Sequence, residues 1–579
     1  MSNKSVEDIK AESRGLRGTI AEQLAAGGTH FDEETIQLIK FHGSYQQDDR
    51  DVRNQRRKEG LDKAWSFMVR SKIPGGDLSV DQYLAHDRMA DELGNGSIRL
   101  TNRQGIQMHG VLFGSLKDCV RRINESGLTT KGACGDIVRN TMATAVPVEN
   151  EIFREVHALA REISETFYAT SHGYSEIWLD AERVSEEPPD PIYGDRYLPR
   201  KYKIGLAIPP FNDIDVFTQD TGLVPHIQDG RVTGYTFFVG GGFGMSHGQV
   251  QTHPALSKPL LYVSKENALE ALKAVVSVQR DFGRRDDRKQ ARLKYLIRDK
   301  GVEWFRERVL ERIAFPVEAP RPVRFESVED RLGWHEQGDG NLFLGLWVPE
   351  GRIRDTEGLR FRTALREIAN TFAPRMRITP NCNLYLHGIA PAAKDAIQAV
   401  LDAHGVTRPE TLTRARRVGH ACVALPTCGL ALAESERVFG TLMDRIDADL
   451  RELGLADEPI LVRMSGCPNG CPRPYNADIA FVGRAPGKYA VFLGGSFRGD
   501  RLAGMTEKSV AFDDLAAHVR PYLADFAANR LPGESFTDFF GRTQQPGDEP
   551  SSEQFHFELA ERKKRLDEKK SAAQTAPPE

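Results

Sequence analysis

The chain contains two copies of one segment, and this duplication constrains the fold more than any other feature. Ile98–Val111 reads IRLTNRQGIQMHGV, and Met376–Ile389, 278 residues further along, reads MRITPNCNLYLHGI. An arginine, a threonine and a His-Gly pair coincide in the two copies. Apolar residues alternate with polar ones in the second half of each copy, which predicts a half-buried strand. We therefore expect two related halves around a pseudo-twofold axis.

Further matching segments follow in the same order in both halves. Met142–Pro147 (MATAVP) aligns with Cys422–Pro426 (CVALP), and Tyr235–Phe243 (YTFFVGGGF) aligns with Tyr489–Phe497 (YAVFLGGSF). Between them, apolar residues at i, i+3, i+4 spacing predict one amphipathic helix per half. These apolar residues are Ile152, Phe153, Val156, Leu159 and Ile163 in the first half, and Val438, Leu442, Ile446 and Leu450 in the second. The expected fold class is α+β.

The duplication also predicts how the chain divides into units. The expected units are an N-terminal wrapping segment (1–90), a small α+β half (91–135), a larger α/β-type unit (136–324), a second small half (325–405), a second larger unit (406–545), and a charged helix with a frayed end (546–579).

Composition excludes several classes of protein. The chain has 579 residues, too many for a single hydrophobic core, and its net charge of −4 argues against a general nucleic-acid binder, which needs a basic surface. No apolar run of transmembrane length or signal-peptide core is visible, so no membrane partner is expected. Seven cysteines, an odd number, favour a reducing cytoplasm over a disulfide framework. We interpret Cys119, Cys134 and Cys382 as buried apolar residues.

The other four cysteines occur in only one of the two copies. Cys422 and Cys428 are separated by five residues, and Cys467 and Cys471 by three. Four thiolates brought together by a fold are the ligand set of a [4Fe–4S] cluster. An all-cysteine zinc site and buried thiols remain alternatives, although structural zinc usually uses tighter spacings. A helix is expected to begin near Gly429.

Two pairs of basic residues indicate an anion-binding site. Arg99 and Arg103 are four residues apart, and on an extended strand this even spacing places both on one face. Arginine offers planar donors that match carboxylates. Lys201 and Lys203 are two apart and point the same way on a strand, where two repelling ammonium groups favour an anion as their partner. The alternative is a solvated edge strand.

Five blocks of the chain resemble the sirohaem-containing sulfite and nitrite reductases, in that family's order, over roughly residues 35–540. The blocks are Lys40–Arg53 (KFHGSYQQDDRDVR), Ser97–Gly110 (SIRLTNRQGIQMHG), Tyr197–Lys203 (YLPRKYK), Phe238–Gly244 (FVGGGFG) and Gly466–Cys471 (GCPNGC). The resemblance implies two ferredoxin-like half domains and two larger domains. It also implies two cofactors, sirohaem and a [4Fe–4S] cluster, and the six-electron reduction of sulfite to sulfide.

The resemblance assigns roles to individual residues. The implied cluster ligands are Cys422, Cys428, Cys467 and Cys471, with Cys471 also bridging to the sirohaem iron. The implied cofactor-binding residues are Arg99, Asn102, Arg103, Gln107, His109, Arg200, Asn469 and Cys471. The implied substrate site consists of Arg70, Arg139, Lys201 and Lys203.

Lys203 favours sulfite as the substrate. Relatives that reduce sulfite tend to carry lysine at this position and nitrite reductases asparagine, since a dianion needs more positive charge than a monoanion. A nitrite reductase that produces ammonium is the first alternative, and a zinc-stabilised, non-catalytic binding protein is the second. We recognise no flavin or NADPH module in the sequence, so electrons are expected from another protein, either ferredoxin or an NADPH-dependent flavoprotein.

Overall fold

The computed structural model describes residues 4–169, 178–179, 182–183 and 190–544, together with Phe555 and Glu561. The charged helix and tail predicted for 546–579 otherwise lie outside the described residues. The helices are α1 (Val6–Glu12), α2 (Ile20–Ala26), α3 (Glu33–Ile39), α4 (Arg53–Lys58), α5 (Val80–Glu92), α6 (Leu116–Glu125), α7 (Glu151–Thr166), α8 (Ala268–Phe282), α9 (Leu293–Lys300), α10 (Val302–Leu310), α11 (Phe361–Phe372), α12 (Lys394–Ala403), α13 (Arg414–Val418), α14 (Glu436–Glu452), α15 (Leu515–Asn529) and α16 (Phe536–Thr543).

The strands alternate with these helices along the chain. They are β1 (Ser44–Asp48), β2 (Trp65–Ser71), β3 (Asp77–Leu78), β4 (Ile98–Leu100), β5 (Ile106–Val111), β6 (Met142–Ala143), β7 (Trp178–Leu179), β8 (Glu182–Arg183), β9 (Ile204–Leu206), β10 (Thr221–Gln228), β11 (Arg231–Val239), β12 (Lys258–Ser264), β13 (Gly333–Glu336), β14 (Leu342–Leu346), β15 (Arg352–Ile353), β16 (Asp355–Thr356), β17 (Leu359–Arg360), β18 (Arg375–Ile378), β19 (Leu384–Ile389), β20 (His420–Ala421), β21 (Val462–Ser465), β22 (Ile479–Ala485), β23 (Lys488–Leu493) and β24 (Gly504–Ala511).

Four five-stranded sheets express the duplication as two matching pairs. The small sheets have the strand orders β1-β2-β5-β4-β15 and β13-β14-β19-β18-β3, and the large sheets β12-β11-β10-β9-β6 and β24-β23-β22-β21-β20. Each order maps onto its partner strand by strand, so the predicted duplicated α+β fold is confirmed. Residues before 91, predicted to wrap the molecule, also supply β1 and β2 to the first small sheet.

The two small sheets exchange their edge strands. The short strand β15 follows the second half's β14 in the chain but pairs with β4 of the first half, while β3 pairs with β18 of the second half. Each small sheet is therefore completed by a segment from the other half. This exchange ties the halves together where the large sheets approach them.

The predicted amphipathic helices are α7 and α14, and each buries one face. In α7 the buried apolar residues include Val156 and Ile163, and in α14 they include Leu442, Ile446 and Leu450. The α14 residues belong to a core shared with the large sheet of the second half. Within the described residues, no helix is both long and apolar enough to cross a bilayer.

One local prediction about the basic residues is wrong. Arg99 lies in β4, but this strand ends at Leu100, and a turn closed by the Thr101 N–H bond to the Gly105 carbonyl (2.9 Å) follows it. Gln104 takes a positive φ of 53° in this turn. Arg103 therefore projects from the turn, and its even spacing from Arg99 does not place the two side chains on one strand face.

Candidate cofactor and anion site

Adjacent parallel strands bring the first and third cysteines of the group together. The strands β20 and β21 pair in parallel, and Cys422 and Cys467 follow their carboxyl ends within two residues. The Cys422 N–H donates to the Met464 carbonyl (3.2 Å), and the Gly466 N–H points at the Cys422 sulfur (3.3 Å). Backbone N–H groups directed at sulfur are the contacts that tune iron–sulfur centres.

The segment after Cys428 is irregular, which corrects the prediction of a helix near Gly429. The helix α14 begins only at Glu436. The preceding backbone is held instead by hydrogen bonds from Leu432 to the Gly466 carbonyl (2.8 Å) and from the Ser435 hydroxyl to the Met464 carbonyl (2.8 Å). These long-range contacts hold the segment against the backbone at Met464 and Gly466, next to Cys467.

Cys471 lies at the exposed end of a tight turn. Gly470 has a φ of 61°, and a Cβ there would come within 2.8 Å of the Tyr475 ring. The Asn469 amide donates to the Cys467 sulfur (3.4 Å). The Asn102 amide bonds to the Cys471 carbonyl, and Asn102 is far away in sequence. The turn thus joins the cysteine group to the segment that carries Arg103.

The four thiols lie near enough to influence one another's ionisation. Burial, followed by the charge of Cys471, raises the pKa of Cys422 to about 12. Burial and Cys471 likewise raise the pKa values of Cys428 and Cys467. Bound metal is what would keep such thiols deprotonated. The donor set and the N–H groups that face it therefore fit an iron–sulfur cluster.

A zinc site makes a different geometric demand. Four thiolates on one zinc ion at about 2.3 Å stand only about 3.8 Å from one another. In the part of the chain that the structure describes, no three His, Cys, Asp or Glu side chains are arranged to hold one metal ion.

The loops that carry Cys422 and Cys467 pack closely together at Gly466. A Cβ at this residue would lie 2.5 Å from the Ala424 Cβ and 2.8 Å from the Ala433 carbonyl oxygen. At Gly429, beside Cys428, a Cβ would meet nothing within 4 Å. The two glycines therefore provide a matched pair for testing the packing.

We expect Gly466→Ala to destabilise the protein and lower its iron content, because the added methyl pushes apart the loops that carry Cys422 and Cys467. Overpacking of this kind costs about 1–3 kcal/mol. Gly429→Ala should leave both quantities unchanged. Denaturant unfolding and iron analysis of the purified variants measure the difference, and equal behaviour of the two would contradict the packing argument.

The four predicted substrate residues lie together. The Arg139 N–H donates to the Tyr202 carbonyl (2.8 Å), which sets Arg139 beside Lys201 and Lys203. Arg70 and Arg139 each direct a guanidinium nitrogen at the same carbonyl, that of Ala133, at 3.5 and 3.3 Å. Although these residues come from three distant parts of the sequence, their side chains form one basic group.

The side-chain nitrogens of Lys201 and Lys203 donate no hydrogen bond to any of the described residues. Tyr202 between them is buried and bonds to the Thr221 hydroxyl (2.6 Å), so Lys201 and Lys203 face the opposite side. Burial and the charge of Arg200 lower the pKa of Lys201 to about 7, while the Cys471 charge opposes this shift. Lys201 is thus close enough to Cys471 for an electrostatic interaction.

The pKa of Lys203 is lowered well below its usual value. Burial is the main cause, followed by the charges of Arg103 and Lys201. Its backbone N–H is anchored on Asp220 (2.9 Å), which also accepts a two-point contact from Arg292 (2.7 and 3.0 Å). Sequence reasoning missed Asp220 and Arg292 because nothing local connects them to the lysines.

Several predicted sirohaem residues border this basic group. Arg103 bonds to Gln219 (2.8 Å) and to the Asn140 carbonyl (2.5 Å), while its buried Nε has no partner within the described part of the chain. Gln107 contacts both Arg70 and His109, and the buried His109 Nδ1 likewise has no partner among those residues. Unpartnered donors and ammonium groups fit an anionic macrocycle and an anionic substrate.

Two other predicted sirohaem residues are engaged with protein groups. The Arg99 guanidinium bonds to Glu436 (3.1 Å) and to the carbonyls of Leu100 (2.7 Å) and Ala421 (2.8 Å). Arg200 bonds to the buried carboxylate of Asp136 (3.3 Å). The structure places Arg200 near Lys201 but directs Arg99 towards the start of α14.

Two family models match parts of the chain. The family described as "Nitrite/Sulfite reductase ferredoxin-like half domain" matches residues 62–126 and 335–404, and "Nitrite and sulphite reductase 4Fe-4S domain" matches residues 160–317. The 160–317 range contains no cysteine, so this match falls on the copy that lacks the cysteine group.

Full-length relatives and a solved structure are also similar. A protein of Staphylococcus haemolyticus named sulfite reductase (NADPH) hemoprotein beta-component is 44% identical over 95% of this chain and 97% of that protein. One of Oceanobacillus iheyensis with the same name is 42% identical, covering 95% and 96%. The structure of the Mycobacterium tuberculosis NirA protein aligns with a TM-score of 0.75 and 25% identity over 95% of this chain and 97% of that one.

The duplicated fold, the cysteine group and the basic group are features of an oxyanion reductase with iron cofactors. The chain belongs to the nitrite and sulfite reductase family. The predicted family and the predicted cofactors, sirohaem and a [4Fe–4S] cluster, are thereby confirmed.

Proposed function

We propose that this chain is the haemoprotein component of an assimilatory sulfite reductase, which reduces sulfite to sulfide with six electrons. The observation that carries the proposal is the lysine pair, Lys201 and Lys203, whose side chains have no hydrogen-bond partner among the described residues. The pair lies beside Arg139, and Lys201 is within electrostatic reach of Cys471. Three fixed or titratable cations suit a dianion better than a monoanion. The names of the relatives described above support the same substrate.

The protein residues bind and orient the substrate and hold protons for it. The guanidinium groups of Arg70 and Arg139 supply positive charge and planar donors that attract sulfite. Lys201, with its pKa of about 7, can hold a proton and release it near neutral pH. When bound, the sirohaem and the cluster supply the redox chemistry and deliver electrons singly. The protons that leave in three water molecules pass through this basic group.

The electron donor in this proposal is a separate NADPH-oxidising flavoprotein. The relatives carry NADPH and "beta-component" in their names, which supports a second chain that oxidises the nucleotide. The proposal includes a cytoplasmic location for the reaction. Ferredoxin is the alternative donor, and reconstitution with each candidate would separate the two.

A direct test combines absorption spectroscopy with steady-state kinetics. The purified protein should show a Soret band and a red-shifted chlorin-like band. With an artificial one-electron donor, it should convert sulfite to sulfide with a higher kcat/KM than it shows for nitrite. A colourless protein, or a clear preference for nitrite, would overturn the proposal.

We expect kcat/KM for sulfite to fall as pH rises above about 7, partly because Lys201 loses its proton and with it one positive charge. Because the pKa of Lys201 is lowered to about 7, the side chain is fully protonated only at pH values well below 7. Lys201→Arg keeps the charge at all these pH values and should remove this part of the decline. The ionisation of sulfite itself affects both proteins equally, so superimposable pH profiles would exclude a role for Lys201.

A further inference from the structure

Two arginines from opposite halves of the molecule bind one carboxylate that is only 12% exposed. Arg99 on β4 and Arg352 on β15 are direct cross-strand neighbours at the point where the small sheets exchange strands. Both bind Glu436, the first residue of α14. Arg352 makes a two-point contact (2.7 and 2.9 Å), and Arg99 contacts the same carboxylate at 3.1 Å.

Two of these three residues, Glu436 and Arg99, also hold the backbone at and just before the first cysteine. The Glu436 N–H donates to the Cys422 carbonyl (3.0 Å). Arg99 donates to the carbonyl of Ala421, the residue before Cys422 (2.8 Å). Cys422 is therefore held between the start of α14 and Arg99, and Arg99 is itself bound to the Glu436 carboxylate. The helix N-terminus adds to the stabilisation of this negative charge.

The second small sheet has a different pair of residues at the corresponding place. At the corresponding place on β18 and β3, Arg377 lies opposite Asp77, and the two side chains approach to 3.6 Å. The carboxylate that pairs with Arg377 therefore lies within the same sheet. In the first small sheet Arg352 replaces that aspartate, so both arginines need a carboxylate from elsewhere, and Glu436 provides it.

We propose that Glu436 is a positioning residue for the cluster, which fixes Cys422 by anchoring its backbone through Arg99 and Arg352 to both halves. Side chains that orient metal ligands from outside the ligand shell typically contribute 10–100-fold to metal affinity. Gly351 supports the assignment, because a Cβ there would collide with the Arg99 guanidinium. The inference rests on the cofactors of the proposed function.

The test compares Glu436→Gln with Asp447→Asn in the holoenzyme. Asp447 is a buried carboxylate on the same helix, paired with Arg416 and Thr413, about 16 Å further along the axis at 1.5 Å per residue. Both variants lose one buried charge from α14, but only Glu436 touches the Cys422 segment. Release of iron to a chelator and the electron paramagnetic resonance of the reduced cluster are measured.

We expect Glu436→Gln to release iron about tenfold faster or more and to change the g values, while Asp447→Asn matches the wild type in both. Unchanged release and g values in Glu436→Gln, or equal changes in both variants, would overturn the inference. If Glu436→Gln does not fold, Arg352→Lys, which keeps the charge but loses the two-point contact, must show the same changes in smaller measure. A wild-type protein without iron would instead overturn the proposed function.

Discussion

Replacing Cys471 by serine is expected to abolish sulfite reduction and to alter the haem absorption spectrum together with the cluster. Cys471 is the exposed member of the cysteine group, and its charge raises the pKa values of the other three thiols and of Lys201. Cys471 is therefore the predicted cluster ligand that also interacts electrostatically with the basic group. A residue in this position can touch both cofactors, as the family resemblance implies.

Cys119→Ser is the matched control for this experiment. Cys119 is fully buried in α6, and no cysteine of the cluster group influences its thiol. The control should keep its iron, its spectrum and its activity. If Cys471→Ser loses the cluster but leaves the haem spectrum as in the wild type, the bridging role of Cys471 is contradicted. Optical spectra, iron content and sulfide production report the three properties separately.

Replacing Lys203 by asparagine is expected to lower kcat/KM for sulfite by about 10–150-fold and for nitrite by less. One charge-assisted hydrogen bond to a desolvated anion contributes about 1.5–3 kcal/mol, which corresponds to this range. Nitrite carries one negative charge fewer and loses less attraction. The measurement is kcat/KM for both anions in both proteins with an artificial donor.

Lys72→Asn is the control for loss of a buried lysine. Lys72 is buried, bonds to the Ser164 carbonyl (3.3 Å), and has a pKa lowered to about 8 by burial alone. Any effect of this variant should be the same for sulfite and nitrite. Equal losses for the two anions in Lys203→Asn would mean that Lys203 supplies protons or positions the haem, and the preference for sulfite would then have to come from elsewhere.

The sequence alone was sufficient for features that depend on nearby residues or on repetition. The duplication predicted two small and two larger units in matching pairs, because segments with a similar sequence pattern adopt similar folds. The spacing of Lys201 and Lys203 predicted a shared face, since side chains alternate along an extended chain. The four cysteines predicted a [4Fe–4S] cluster because four thiolates are its ligand set, and the family resemblance of the flanking residues favoured the cluster over zinc.

Tertiary structure decided where each basic residue points and what holds it there. The turn after Leu100 separates Arg103 from Arg99, a result that residue spacing could not predict because a strand was assumed to continue. The Asp220–Arg292 pair and the Glu436–Arg99–Arg352 group join residues more than 70 positions apart. Their pairing depends on strand order and on the exchange of β3 and β15, which arise from packing of the whole chain and leave no local pattern in the sequence.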